Sequence, residues 1–182
     1  MPGRGVIDIL RARSARGSRA PHGDGARVAL AIEGGAMRGV VSAGMVSALE
    51  HLGLTQAFDA VYGSSGGAIN GAYFLAGQAR IGSEIYFEDI NNRQFIDLRR
   101  PLWGRPVVDL GFLLNEVATR RKPLQVDRVL AAASPLVVMA TDVALAARAP
   151  LRDFANAEAL FAALRAGATM PVIAGPPVPY QG

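Results

Sequence analysis

No cysteine occurs in the 182 residues of this chain, and only two histidines do. The first absence excludes disulfides and thiolate metal sites and fits a reducing compartment such as the cytoplasm. The second leaves a histidine-based metal centre short of ligands, so neither a metal nor another cofactor is expected. Long apolar runs are missing as well. Val28-Ala-Leu-Ala-Ile32 and Leu136-Val-Val-Met-Ala140 are too short to span a bilayer, and the alanine-rich stretches that follow are broken by Gly, Arg or Asp. The N-terminus is basic but has no apolar segment behind it, which argues against a secretory signal. The expected location is cytoplasmic, with any membrane association peripheral.

What the chain does contain is a hydrophobic fraction of 51%, enough for one domain with a substantial core. Charge is uneven. Residues 1–27 carry six arginines (Arg4, Arg11, Arg13, Arg16, Arg19 and Arg27) against Asp8 and Asp24, which accounts for the whole formal net charge of +4. The rest of the chain is balanced, so the basicity belongs to an arm and gives no support to nucleic-acid binding. An arm of Gly, Ser, Pro and Arg with few large apolar groups is expected to be a flexible, solvated tail over 1–26. Its functional alternative is attraction to anionic lipid headgroups.

The domain is expected over 27–182. Val28 to Ile32 reads as a buried strand, followed at once by a glycine turn. Val41, Met45, Ala48, Leu49 and Leu52 form a helical stripe expected to face the core, with Gly53 as the stop. Phe58 to Tyr62 reads as a second strand, and residues 68–76 as a helix of small residues set close to a sheet. The stretch 82–124, with paired asparagines, prolines and scattered aromatics, reads as irregular structure containing short helices near 84–90 and 109–119. A short helix over 126–133, a strand over 136–141 and a helix capped by Asn156, running through Arg165 and stopped by Gly167, complete the pattern. Strands alternating with helices predict a parallel α/β sheet covered on both faces.

Two turns carry the chemistry. Gly63-Ser64-Ser65-Gly66-Gly67 is a Gly-x-Ser-x-Gly sequence between an expected strand and an expected helix, the setting that exposes a serine hydroxyl on a sharp turn. Gly63 and Gly67 make room for that turn. The helix N-terminus behind it favours negative charge on the oxygen, making Ser65 the candidate nucleophile. Ser64 lacks the glycine two positions earlier. One strand before, Glu33-Gly-Gly-Ala-Met-Arg-Gly39 places successive amides where they can converge on one anionic oxygen. By itself this loop also fits a dinucleotide fingerprint, Gly34-x-Ala36-x-x-Gly39 with Asp59 as the ribose acid, although the Ala36 methyl would intrude on a pyrophosphate. The serine turn on the next strand shifts the weight to acyl transfer.

Together the two motifs resemble those of the patatin-like phospholipase family: Gly34-Gly35-Ala36-Met37-Arg38-Gly39 is similar to its oxyanion loop and Gly63-Ser64-Ser65-Gly66-Gly67 to its nucleophile elbow. The similarity extends less specifically through Thr141-Asp142 and Leu164 to Pro171. The resemblance implies a three-layer α/β/α sandwich around a mainly parallel sheet, incomplete at the C-terminus. It also implies a lipid ester substrate cleaved through a serine acyl-enzyme, without a metal, by a Ser-Asp dyad. Ser65 would be the nucleophile, the amides of Gly34, Gly35 and Ala36 the oxyanion hole, and Arg38 with Gly39 the positioning of the loop or of a substrate phosphate. Ala36 departs from the family, which usually has glycine there. The family's Asp-Gly-Gly or Asp-Gly-Ala motif is absent. Asp24-Gly25 precedes the nucleophile, and Asp142 is expected to tie a turn. His22 lies in the arm and His51 reads as an ordinary surface or cap residue. The base is therefore expected beyond Gly182, and the chain itself to hydrolyse poorly. A non-catalytic lipid-binding pseudoenzyme and a nucleotide-binding module are the alternatives.

Overall fold

The computed structural model describes residues 5–180. Three parallel strands form its centre: β1 (Ala29–Ile32), β2 (Ala60–Ser64) and β3 (Leu136–Asp142). A fourth, β4 (Ala147–Leu151), returns antiparallel along β3, giving the order β1-β2-β3-β4. In register, Leu30 and Ile32 lie opposite Val61 and Gly63, and Val61 and Gly63 lie opposite Leu136 and Val138. Because strand side chains alternate, these residues share one face, and Ile32, Val61, Leu136 and Val138 are buried there.

Among the described residues six α-helices accompany the sheet: α1 (Val6–Ala15), α2 (Gly39–His51), α3 (Gly66–Leu75), α4 (Ala79–Glu84), α5 (Val126–Leu130) and α6 (Ala157–Ala168). The crossovers from β1 to β2 and from β2 to β3 step in the same direction, and right-handed crossovers that do so deposit their helices on the same side. The burial follows suit. α3 is buried from Gly67 to Leu75 against the face of Val61 and Leu136, while Ala31, Tyr62 and Ser64 on the opposite face are exposed. The fold is of the three-layer α/β/α class expected, built on an open and mainly parallel sheet.

Element positions follow the sequence with instructive shifts. β2 begins two residues later than expected, because Phe58 sits below the strand with its ring edge against Phe74 at 6.2 Å between centroids. The helix behind the serine starts immediately, at Gly66. Asn156 caps α6 as expected, its side chain accepting from the Ala159 amide at 2.9 Å. Gly167 does not stop that helix, which ends at Ala168. Its missing side chain serves close packing instead, since a Cβ there would lie 2.5 Å from Val138 Cγ1. β4 was not expected: Ala-Arg-Ala-Pro-Leu has no clean alternation, and Pro150 is tolerated because the strand is an edge. Between α4 and α5 the chain is irregular as expected, with π-helical turns at Ile85–Asp89 and Phe112–Arg121 and a 3-10 turn at Arg100–Trp103.

Two expectations are overturned. The core-facing side of α2 is Gly39, Ser42, Ala43 and Val46, whereas Val41, Met45, Ala48 and Leu52 are exposed. Small residues let α2 pack close to α3 and α4, and that proximity decides the buried face against the larger apolar stripe. The second concerns the arm. Residues 6–15 form a helix whose Ile9 and Leu10 pack against the core, and Arg13 is fully buried. Its guanidinium donates to Asp24 Oδ1 and Oδ2 at 2.9 and 2.8 Å, to Asp59 Oδ2 at 3.0 Å, and to the carbonyls of Ala57 and Ala26 at 2.9 and 2.8 Å. Five donors meet five acceptors. A buried arginine is tolerable when so satisfied, and composition alone is blind to that pairing.

Candidate active site

The residues singled out in the sequence converge at the C-terminal end of the parallel strands. Ser65 stands between β2 and α3 with φ 52° and ψ −128°, a conformation costly for a residue bearing a side chain. Packing enforces it. A Cβ on Gly63 would collide with Ala68, and one on Gly67 with the carbonyl oxygens of Ile32 and Glu33, so the turn folds flat against the end of β1 only with glycine at both positions.

The loop after β1 lies directly against this elbow. A Cβ on Gly34 would sit 2.6 Å from the Ser64 carbonyl oxygen and 2.7 Å from Ser65 Cβ. Gly35 takes φ 140° and Ala36 φ 49°, which leads into a 3-10 turn over Ala36–Arg38 closed by the Arg38 amide on the Gly35 carbonyl at 3.0 Å. The alanine that departs from the glycine pattern thus occupies the left-handed region, where a side chain costs about 1 kcal/mol. Among the described residues the amides of Gly34, Gly35 and Ala36 have no intramolecular acceptor. Arg38 folds its side chain back beside Gly35, at 3.4 Å from where a Cβ would be. Gly39 opens α2 under Tyr86, whose hydroxyl would lie 2.5 Å from a Cβ there.

Two residues that sequence reasoning passed over brace the loop against the elbow helix. Asn70, buried in α3, donates through Nδ2 to the Gly39 carbonyl at 3.0 Å and to Ser42 Oγ at 3.1 Å. Its Oδ1 accepts from the Tyr86 hydroxyl at 3.1 Å. The Ser42 hydroxyl is in turn within donating distance of the Glu33 and Gly39 carbonyl oxygens, at 3.1 and 3.0 Å. Burial pushes the Tyr86 phenol up to about 12, against the opposing effect of its bond to Asn70; at neutral pH it is a donor and not a base. A lone asparagine in the otherwise apolar run Ala68-Ile-Asn-Gly-Ala-Tyr-Phe-Leu75 was the signal available in the sequence.

Ser65, Gly34, Gly35, Ala36 and Arg38 border a cavity of about 420 Å³ whose walls include Ile69, Ile85, Ile90, Phe95, Leu110 and Leu113. No carboxylate or imidazole is among its lining residues. Asp142, at the end of β3, accepts from the amides of Ala144 and Leu145 at 2.9 and 3.0 Å and so ties a turn, as expected. Asp24 is bound to Arg13 and lies with the arm. Asp59 sits just before β2, at the opposite end of the sheet from the glycine loop, and accepts from Arg13 and from the Val28 amide. It cannot serve as the ribose acid of a dinucleotide site. His51 ends α2 on the surface, and His22 Nε2 lies 3.3 Å from the Phe58 carbonyl oxygen.

A strained serine at a strand-to-helix turn thus has glycine-loop amides beside it and an apolar cavity in front, on an open α/β sheet. The chain matches the patatin-like phospholipase family over residues 30–182, and it belongs to that family. It is also 32% identical over 101 residues to the uncharacterized protein YjjU of Escherichia coli (strain K12), a match covering 56% of this chain and 28% of that protein. The chain thus aligns with less than a third of the relative's length. No helix among the described residues is long and apolar enough to cross a membrane.

Proposed function

We propose that this chain carries the nucleophile and oxyanion hole of a lipid acyl hydrolase of the phospholipase or lysophospholipase type. Ser65 Oγ attacks the ester carbonyl, its proton passing to a base and then to the departing alcohol. The amides of Gly34, Gly35 and Ala36 take the charge that develops on the carbonyl oxygen, and Arg38 steadies the loop or a substrate phosphate. Water then releases the fatty acid from the acyl-enzyme. Preorganised amides of this sort are worth about a hundred- to a thousandfold in rate for each donor. The observation that carries the reading is the strained backbone of Ser65 beside glycine-loop amides at the mouth of an apolar cavity. A lipid ester brings the protein to a membrane only peripherally.

None of the described acids lines the cavity, so among residues 5–180 no base faces Ser65. The 182-residue chain is accordingly expected to react slowly at Ser65 with a fluorophosphonate probe and to hydrolyse p-nitrophenyl butyrate weakly. Ser65→Ala should abolish both at an unchanged unfolding midpoint. Retention of either by the folded variant overturns the nucleophile assignment, and efficient turnover by the unaltered chain overturns the absence of a base among residues 5–180. The same absence of a base favours one second reading, a lipid-binding module without chemistry. Saturable binding of a fluorescent fatty acid with no Ser65-dependent labelling would select it.

A further inference from the structure

Residues 91–108 form a loop that contributes Phe95 and Val108 to the cavity wall and then projects away from it. Its tip is apolar and exposed: Leu98 is 82% accessible, Leu102 79% and Trp103 69%. Side chains of this size and exposure at consecutive turns of one loop have no role in the fold's core, and clustered exposed apolar groups mark interaction sites. The loop is also preorganised. The Arg100 guanidinium donates to the carbonyls of Phe95 and Val107 at 3.2 and 3.3 Å and to those of Arg93 and Gln94 at 3.0 and 2.6 Å. One partly buried cation thereby gathers both limbs of the loop and leaves its apolar residues outward.

Charge around the tip has one prevailing sign. The loop contains Arg93, Arg99, Arg100 and Arg105 against a single acid before Asp109, Asp97, which is engaged by Arg99 at 3.2 Å. Arg93, Arg99 and Arg105 are exposed. Tryptophan and leucine flanked by arginines is the composition that settles at a lipid interface, the rings at headgroup depth and the guanidinium groups on the phosphates. Across the cavity mouth the Val108 amide donates to the Ile173 carbonyl at 2.9 Å, and Met170 and Val172 beside it are exposed as well. The apolar tip, the basic flank and the entrance to the cavity therefore belong to one side of the molecule. The basic arm is elsewhere, since α1 is clamped through Arg13 at the other end of the strands.

We infer that the loop carrying Leu98, Leu102 and Trp103 is the docking surface for a bilayer containing anionic lipid, seating the cavity mouth on the membrane. The inference rests on the lipid-hydrolase reading for its purpose, but its test does not use hydrolysis. Trp103 is the chain's one tryptophan, so intrinsic fluorescence reports this loop alone. With Ser65→Ala protein and vesicles of phosphatidylglycerol and phosphatidylcholine, the emission should shift to the blue and the protein should sediment with the vesicles. Salt should weaken the association through screening. Arg93→Glu with Arg105→Glu should lower the affinity at least tenfold, each basic group near such a surface being worth about fivefold. Leu98→Asp with Leu102→Asp should abolish sedimentation while leaving fluorophosphonate labelling of the Ser65 protein unchanged. Sedimentation with an unshifted Trp103 spectrum, or with all four substitutions ineffective, would place docking on another surface and overturn the inference. Failure to bind any vesicle would overturn it as well. Loss of Ser65 labelling without loss of vesicle binding would strike only the hydrolase reading.

Discussion

The two ends of the parallel sheet are built on opposite principles. At the N-terminal end, charge is buried and completely answered: Arg13 meets five acceptors, and the Val28 amide shares Asp59 with it. At the C-terminal end the backbone is bent into costly conformations at Ala36 and Ser65, and the loop amides have no acceptor among the described residues. The first end holds the fold. The second stores strain and unused hydrogen-bonding capacity at the place where charge would develop in the acyl transfer we propose. A change at one end should therefore register in stability and a change at the other in reactivity.

The strongest break should come from Arg13→Met, which keeps the aliphatic stem but takes the guanidinium from both Asp24 and Asp59, leaving Asp24 only Arg16 at 4.0 Å. Stranding a buried partner of this kind costs about 3 kcal/mol, readable as a lower urea midpoint. The rate of Ser65 labelling below the unfolding transition should not change. If labelling fell in proportion to stability, the two ends would not be separable.

Gly34→Ala tests the other end. Its Cβ would press on the Ser64 carbonyl and on Ser65, and overpacking against backbone costs about 2 kcal/mol. The expected signature is a loss of labelling of tenfold or more, much larger than the shift in midpoint implies. Equal labelling would show that the loop yields without moving the serine.

Acid should act on the clamp first. The Arg13 guanidinium holds the Asp24 carboxyl far below the ordinary carboxylate range. For Asp59, burial works upward, but the Val28 amide and Arg13 outweigh it and the net direction is down. Depressed carboxylates stabilise the fold fully above the unfolded value of about 3.9, and this contribution is lost as the pH falls from there through the folded-state values. A plot of Tm against pH should therefore be flat on this account at neutrality and decline below about pH 4. Arg13→Met should flatten the decline.

The smallest effect expected is a gain. Ala36→Gly removes a side chain from a left-handed position and should raise stability by about 0.5 kcal/mol, the relief of strain being partly offset by the freer unfolded chain. Labelling of Ser65 should stay within twofold, which thermal denaturation and probe kinetics together would check.

Much of this comparison was legible in the sequence, though unevenly. The reactive end was readable because strained turns demand glycine at fixed offsets: Gly34, Gly63 and Gly67 advertise contacts that no other residue permits. The clamped end was hidden because nothing local distinguishes a paired arginine from a solvated one. Arg13, Asp24 and Asp59 become a unit only when the chain brings together residues 46 positions apart. The α2 stripe failed for a related reason. Periodicity counts apolar residues, whereas the buried face was chosen by how closely Gly39, Ser42 and Ala43 let three helices approach. Asn70 and Tyr86 were passed over because a motif search stops at the loops and does not ask what holds them together.

The elbow at Ser65 has one more consequence, for the history of each molecule. Its dihedral angles are held by β1, by Gly67 beneath the end of that strand and by α3 pressed on the sheet, contacts that join segments more than thirty residues apart. In a chain that has not assembled these pieces, Ser65 is an ordinary serine beside a flexible glycine run. The reactivity we propose for Ser65 is thus an emergent property of the finished fold, for the unassembled chain holds no bent serine beside converging amides.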